Sequence, residues 1–387
     1  MEAVLKVMAI FGVRPEAIKM APVVKELARY PQAFRTLVIV TAQHREMLDQ
    51  VLDHFEIKPD YDLNIMQPRQ SLTDIATRAL EGLEPVLREE RPDLVLVHGD
   101  TSTTFIASLA AFYQQIPVGH VEAGLRTGQK YSPFPEEMNR RLTGALADLH
   151  FAPTPRARDN LLAEGVRDST IFVTGNTAID ALYMTVREGY RFSEGFLNRL
   201  DYRGRKVIVA DAHRRENFGE PMENICLALR DVVRNCPEVD LIFSVHRNPQ
   251  VVDPVRRVLG VEDRVYLSDP LPYSEWANLM GRAYLIVTDS GGLQEEAPSL
   301  GTPVILLRDT TERPEAIEAG TVRMVGTKRQ AVREAIEELI HDRRVYEAMS
   351  RASNPYGDGK AARRIAGALL YHFGLASHPP EPFGTKR

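Results

Sequence analysis

Short apolar, β-branched runs alternate along the whole chain with longer stretches whose apolar residues recur at helical spacing. In the first half, Leu5–Phe11, Leu37–Thr41, Leu94–His98, Pro117–Val121 and Ile171–Val173 read as strands. Between them, segments such as Leu72–Leu87 and Thr103–Tyr113 carry the repeat of amphipathic helices. The pattern pauses after Thr174-Gly175-Asn176-Thr177, and the polar stretch Arg187–Arg205 has little periodicity. It restarts with Val207–Ala210, Asp240–Val245, Arg264–Leu267, Tyr284–Thr288, Pro303–Leu307 and Val322–Val325. Strand–helix alternation of this kind predicts an α/β protein with doubly wound parallel sheets. We expect two Rossmann-like domains facing a central cleft, over residues 1–175 and 176–359. A last helix, within 360–374, is expected to pack back on the N-terminal domain, and the Pro- and charge-rich tail 375–387 to be disordered.

Composition narrows the function classes. A chain of 387 residues is long enough for two cores. Its net charge of −5, from 48 basic and 53 acidic residues, carries no sign of the clustered basic surface that nucleic-acid binding needs. An anionic ligand must then be held by a few placed cations and backbone amides. No apolar stretch approaches the length of a bilayer span, so no membrane association is expected. The first apolar run is short, contains Lys6 and lacks a small-residue cleavage site, so it reads as a strand rather than a signal peptide. Cys226 and Cys236 are too few for a disulfide framework or a four-cysteine zinc site, and a cytoplasmic setting fits them. No metal-ligand spacing, no G-x-G-x-x-G after the first strand and no P-loop appear, so neither metal nor NAD is expected.

In open α/β sheets, ligands bind beyond the carboxyl ends of the strands. That rule selects Arg14, Asp100, Glu122, His213, His246 and Asp289-Ser290. In TDSGGLQEEAPSLG, Ser290, Gly291 and Gly292 join a strand to a helix and suit phosphate, while Glu296 suits ribose hydroxyls. The same segment also reads as a plain glycine loop. Arg14 and Lys19, in FGVRPEAIKM, can reach a diphosphate or form a solvated basic face. His213, in AHRREN, can donate to a leaving phosphate or serve as a structural hydrogen-bonder, and His44, His98, His120, His150 and His246 compete with it. Asp100 could equally cap the next helix, and Glu136-Glu137 could be first-turn helix charges.

Longer motifs sharpen these choices. FGVRPEAIKMAP, TAQHREMLDQVL, LVLVHGDT, PVGHVEAGLRTG, SPFPEEMNRR, VTGNTAIDAL, HRREN, LIVTDSGGLQEEAPSLGTPV, RDTTERPEA and NPYGDG span nearly the whole chain. In them the sequence resembles the bacterial non-hydrolysing UDP-N-acetylglucosamine 2-epimerases. The resemblance implies a glycosyltransferase-B-like pair of domains, a homodimer, and no NAD or metal cofactor. By motif match, Arg14, Lys19, His213, Ser290, Gly291, Gly292, Glu296 and Arg313 would bind UDP. Asp100, Glu122 and Glu136 would be the catalytic acids, with His213 beside them in the reaction. Leu271 and Trp276 lie in the segment matching a uracil-contacting loop, although a core role suits Trp276 equally. Gln43, Arg69 and Gln70 match a segment that holds a second UDP-N-acetylglucosamine as activator in some members.

The implied reaction is reversible conversion of UDP-N-acetylglucosamine to UDP-N-acetylmannosamine, a precursor of surface polysaccharides. UDP would leave C1, a carboxylate would take the C2 proton to give a 2-acetamidoglucal, and re-addition would follow. Other readings are a glycosyltransferase of the same fold, a hydrolysing epimerase releasing N-acetylmannosamine, and a non-catalytic UDP-sugar binder. The sequence departs from the family pattern twice. Val13 stands where a threonine is usual, and Asp211 precedes Ala212-His213 where T-A-H or T-G-H is often found. A carboxylate two residues from His213 could raise its pKa or bind a cation.

Overall fold

A computed structural model describes residues 4–42, 45–67 and 69–384. The described chain forms two compact units, Met1–Met184 with Tyr356–Arg387, and Thr185–Pro355. In chain order, the first unit contains β1 (Leu5–Phe11), α1 (Arg14–Leu27), β2 (Phe34–Val40), α2 (Arg45–His54), β3 (Tyr61–Asp62), α3 (Leu72–Glu90) and β4 (Leu94–His98). It continues with α4 (Ser102–Tyr113), β5 (Val118–Val121), α5 (Glu136–Leu146), β6 (Leu149–Ala152), α6 (Pro155–Ala163), β7 (Ile171–Val173) and α7 (Thr177–Thr185).

The first sheet has the order β3-β2-β1-β4-β5-β6-β7, and every pairing is parallel. Its central strands are apolar on both faces because helices cover both. All of β4 and the last five residues of β1 are buried. Chain order reverses between β1 and β4, which makes their carboxyl ends the topological switch point.

The second unit contains β8 (Lys206–Asp211), α8 (Glu220–Asn235), β9 (Val239–Ser244), α9 (Pro249–Leu259), β10 (Val265–Ser268), α10 (Tyr273–Met280) and β11 (Leu285–Thr288). Then come α11 (Leu293–Ser299), β12 (Val304–Leu306), α12 (Pro314–Glu318), β13 (Val322–Met324), α13 (Arg329–His341) and α14 (Arg343–Ser350). Its parallel sheet runs β10-β9-β8-β11-β12-β13, with the switch point between β8 and β11. Helix α8 shows how the core forms. Met222, Ile225, Cys226, Leu229, Val232 and Val233 recur at helical spacing and are all buried. Burial pushes the Cys226 thiol up to about 12, so it packs as an apolar group.

The expected division near residue 175 needs correcting. Ala178, Ile179, Ala181 and Leu182 of α7 are buried, and the Asp180 carboxylate accepts the backbone N–H groups of Ala361 and Ala362 at 3.1 and 2.9 Å. Those amides open α15 (Ala361–His372), which also packs on α1. Helix α7 therefore stays with the first unit, and the chain rejoins that unit at Tyr356.

The tail expected to be disordered is ordered as far as Gly384. Phe383 N–H donates to the Val173 carbonyl at 2.8 Å, and the Arg364 guanidinium lies 5.5 Å from the centre of its ring. Residues 385–387 lie outside the described residues. Among the described residues no helix is long and apolar enough to cross a membrane.

Candidate active site

In the first unit the chemistry gathers at the switch point. Gly12 follows β1 because nothing larger fits: a Cβ there would lie 2.0 Å from Thr41 Oγ1 and 2.5 Å from Thr103 Oγ1. Val13 has no side-chain oxygen to cap α1, and Glu16 does that work. Its Oε2 accepts the N–H groups of Gly12 and Val13 at 2.7 and 3.0 Å, while Oε1 accepts the Thr101 and Thr104 hydroxyls. One buried carboxylate thus ties the turn after β1 to the turn after β4.

Glu122 follows β5 with φ 64, in the left-handed region that a residue with a side chain rarely adopts. That backbone places its carboxylate beside Lys19, Asn176 and His98. Lys19 Nζ forms an ion pair with Oε2, Asn176 Nδ2 donates to the same oxygen at 2.8 Å, and His98 Nε2 lies 3.7 Å from it. Asp100 is tied to the same region by charge. Burial raises its pKa, Arg140 pulls it down, and Glu122 and Glu136 push it up again. Arg140 Nη2 donates to Asp100 Oδ2 at 2.6 Å, and Asn139 Nδ2 to its carbonyl at 3.0 Å.

The pair at the start of α5 divides. Glu137 is fully buried and accepts the N–H groups of Thr127 and Gly128, both at 3.1 Å, so it shapes the preceding loop. Glu136, the candidate acid, is only half-buried.

The histidines can now be ranked. His120 donates from Nε2 to the Gly99 carbonyl at 2.7 Å, and burial pushes its pKa down to about 3. His150 is also buried and pushed down, to about 4. Burial holds His98 at about 4, partly opposed by Glu122, and neither of its buried ring nitrogens has a hydrogen-bond partner among the described residues. His98 is thus a neutral imidazole directed at the Glu122 carboxylate. His44 and Gln43 lie outside the described residues. Arg69 is exposed and Gln70 half-buried, with its Oε1 accepting the Gln67 N–H at 3.2 Å.

In the second unit, Asp289 follows β11 and is fully buried. Its carboxylate accepts the N–H groups of His213 and Arg214 and the Asn217 amide, fixing the turn after β8. His213 Nδ1 lies 3.4 Å from Asp211 Oδ2 and 3.6 Å from Asp289 Oδ1, and its ring stacks on His246 at 5.5 Å. The hydrogen bond to Asp211 raises the His213 pKa, against its partial burial.

The turn Ser290–Gly292 stands beside this histidine's loop. The Ser290 N–H donates to Thr288 Oγ1 at 2.9 Å, and a Cβ on Gly292 would meet nothing within 4 Å among the described residues. Glu296 is half-buried in α11. Arg313 reaches Gly291 with its guanidinium engaged by Glu295 and Glu312. Leu271 is buried in the core and Trp276 is half-buried on α10.

The model of the UDP-N-acetylglucosamine 2-epimerase family matches residues 25–370. The chain belongs to that family. A UDP-N-acetylglucosamine 2-epimerase of Bacillus subtilis is 56% identical over 383 residues, 99% of each chain. One from Escherichia coli K12 is 57% identical over 371 residues, covering 94% of this chain and 98% of that one. A crystal structure of the Neisseria meningitidis 2-epimerase bound to UDP-N-acetylglucosamine is 50% identical, with a TM-score of 0.87, and covers 95% of this chain and 100% of that one. An S. aureus structure containing UDP is 51% identical, with a TM-score of 0.88, and covers 98% and 100%. Epimerase membership accounts for two Rossmann-like units, each with polar residues at its switch point.

Sequence reasoning passed over Asn176, Arg140 and Asn139. Asn176 follows β7 and was visible to the strand-end rule. Arg140 and Asn139 lie one turn into α5, where only the fold reveals that they reach back to Asp100.

Proposed function

We propose that this epimerase interconverts UDP-N-acetylglucosamine and UDP-N-acetylmannosamine without hydrolysis. The observation that carries the reading is the setting of Glu122, a carboxylate held at positive φ against Lys19, Asn176 and His98, with Asp100–Arg140 in the same electrostatic field. Binding a nucleotide needs no such group, whereas proton transfer at carbon does.

The reaction proceeds by elimination, because C2 carries no activating carbonyl. UDP takes the bonding electron pair from C1, its charge met by His213, Arg14, Arg313 and the Ser290–Gly292 turn. The oxocarbenium-like sugar has an acidic C2–H, and a carboxylate removes that proton to leave the 2-acetamidoglucal. A second acid delivers a proton to the opposite face, and UDP re-forms its bond to C1. Asp100, Glu122 and Glu136 supply these acid–base groups, and transfer on two faces explains the need for more than one. Lys19 then serves Glu122 rather than only the diphosphate. Glu296 takes the ribose hydroxyls, and the Leu271–Trp276 segment contacts the uracil.

The same reading includes a homodimer in the cytoplasm, supplying N-acetylmannosamine nucleotides for surface polysaccharides. Arg69 and Gln70 belong to an activator site for a second UDP-N-acetylglucosamine.

The test is incubation of the purified chain with UDP-N-acetylglucosamine alone, without acceptor or cofactor, followed by proton and phosphorus NMR. UDP-N-acetylmannosamine is expected as a minority product at equilibrium. Free N-acetylmannosamine with UDP would mark a hydrolysing enzyme, and no turnover would mark a transferase or a binder.

A further inference from the structure

Three guanidinium groups of the second unit converge on one carboxylate. Arg313 Nη1 donates to Glu312 Oε1 at 2.5 Å, Arg308 Nη1 donates to Oε2 at 2.9 Å, and Arg214 Nη2 lies 3.8 Å from Oε1. The position of this cage matters more than its strength. A Cβ built on Gly291 would lie 2.7 Å from Arg313 Nη1 and 3.0 Å from Glu312 Oε1, so the Glu312 carboxylate rests against Gly291 in the Ser290–Gly292 turn. Arg214 belongs to the His213 loop, and its Nε donates to the Asp289 carbonyl at 2.9 Å. The cage is therefore continuous with the groups assigned above to the diphosphate. A carboxylate and a phosphate oxygen present the same acceptor geometry to a guanidinium fork.

We propose that Glu312 is a built-in counter-anion of the diphosphate site, competing with the substrate's phosphates for Arg313, Arg308 and Arg214. This rests on the reading of the Ser290–Gly292 turn as a phosphate site. Burial alone would raise the Glu312 pKa, but Arg313, Arg308, a backbone hydrogen bond and Arg214 hold it down to about 2. The carboxylate stays charged at any working pH, so protonation does not release the cage. A diphosphate, with at least twice the charge, can displace it. Displacement lowers apparent affinity by the fraction of molecules in which the cage is open. Arg308 retains Glu216 at 3.4 Å and Arg313 retains Glu295, so the cage does not collapse when Glu312 leaves. An enzyme that must both bind and release UDP gains from such a competitor, which weakens the phosphate grip without removing a cation.

Isothermal titration of the full chain with UDP and with uridine, for wild type and Glu312→Gln, tests this. UDP is expected to bind the variant about tenfold more tightly, since a neutral amide competes poorly for the cage. Uridine, which has no phosphate, is expected to bind both proteins equally. Unchanged or weaker UDP binding by the variant overturns the proposal, because Glu312 would then be orienting Arg313 for the ligand. A parallel gain for uridine overturns it as well. A crystal structure of the wild-type chain with UDP gives the second test, with Glu312 expected beyond hydrogen-bond reach of Arg313 and its persistence there contradicting displacement. If wild type binds no UDP, the functional reading itself fails, a result distinct from a wild type that binds UDP and a variant that gains nothing.

Discussion

Asp211 Oδ2 lies 3.4 Å from Nδ1 of His213. The pairing orients the imidazole, leaving Nε2 as the nitrogen not engaged by a carboxylate, and it favours the imidazolium. Asp289 supports the charge, while Arg214 and partial burial oppose it. His246, stacked on the ring, is itself pushed down by burial and by the charge of His213.

A pH dependence follows. His213 is raised above its ordinary 6.5, so its stabilising charge is fully present below that value and is lost as pH rises through the folded-state value. Asp211→Asn is expected to move the imidazole titration to lower pH, followed by NMR, and to weaken UDP binding more at pH 8 than at pH 6. An unchanged titration would show that Asp211 does not govern this histidine.

Glu122→Gln keeps the shape of the side chain and removes one of the three proposed acid–base groups. Turnover should fall at least a hundredfold, on the usual scale of general acid–base catalysis, with UDP affinity in titration calorimetry unchanged. Loss of UDP affinity in step with turnover would assign Glu122 to binding.

Glu16→Ala should destabilise the protein by about 3 kcal/mol in chemical denaturation, because the N–H groups of Gly12 and Val13 lose their acceptor. A loss under about 0.5 kcal/mol would match an unremarkable surface change and contradict its role as the joint of the switch point.

Asp180 predicts a stability trend of opposite origin. Burial first pushes its carboxyl up to about 6, against the pull of the Ala362 and Ala361 amides. The folded chain holds this proton more tightly than the unfolded one. Wild-type stability, relative to Asp180→Asn, should therefore fall as pH rises from about 4 through about 6 and level off above. A flat difference between the two melts would contradict the assignment.

The strand pattern was legible because parallel strands covered on both faces are continuous apolar runs. β1, β4 and β7 begin and end where the runs do. β3 has only two residues, and β6, LHFA, has His150 inside its run, which breaks the continuous apolar signal. The boundary was misplaced because the polar turn after β7 looks like a linker, while the bonds from Asp180 to α15 join residues 181 and 182 positions apart. The same limit applied at the site. Asp100, Glu122 and His213 stand at strand ends and could be read directly. The cage of Glu312, the pairing of Lys19 with Glu122 and the neutral His98 depend on side chains brought together by the fold.

The central claim is that carboxylates in this chain exchange the C2 proton of the sugar. Its most direct test is deuterium at C2 when UDP-N-acetylglucosamine is turned over in D2O, read by NMR for wild type and Glu122→Gln. The account predicts that wild type incorporates deuterium at C2 as UDP-N-acetylmannosamine forms, and that the variant incorporates it at least a hundredfold more slowly. Epimer formed with protium retained at C2 would contradict it.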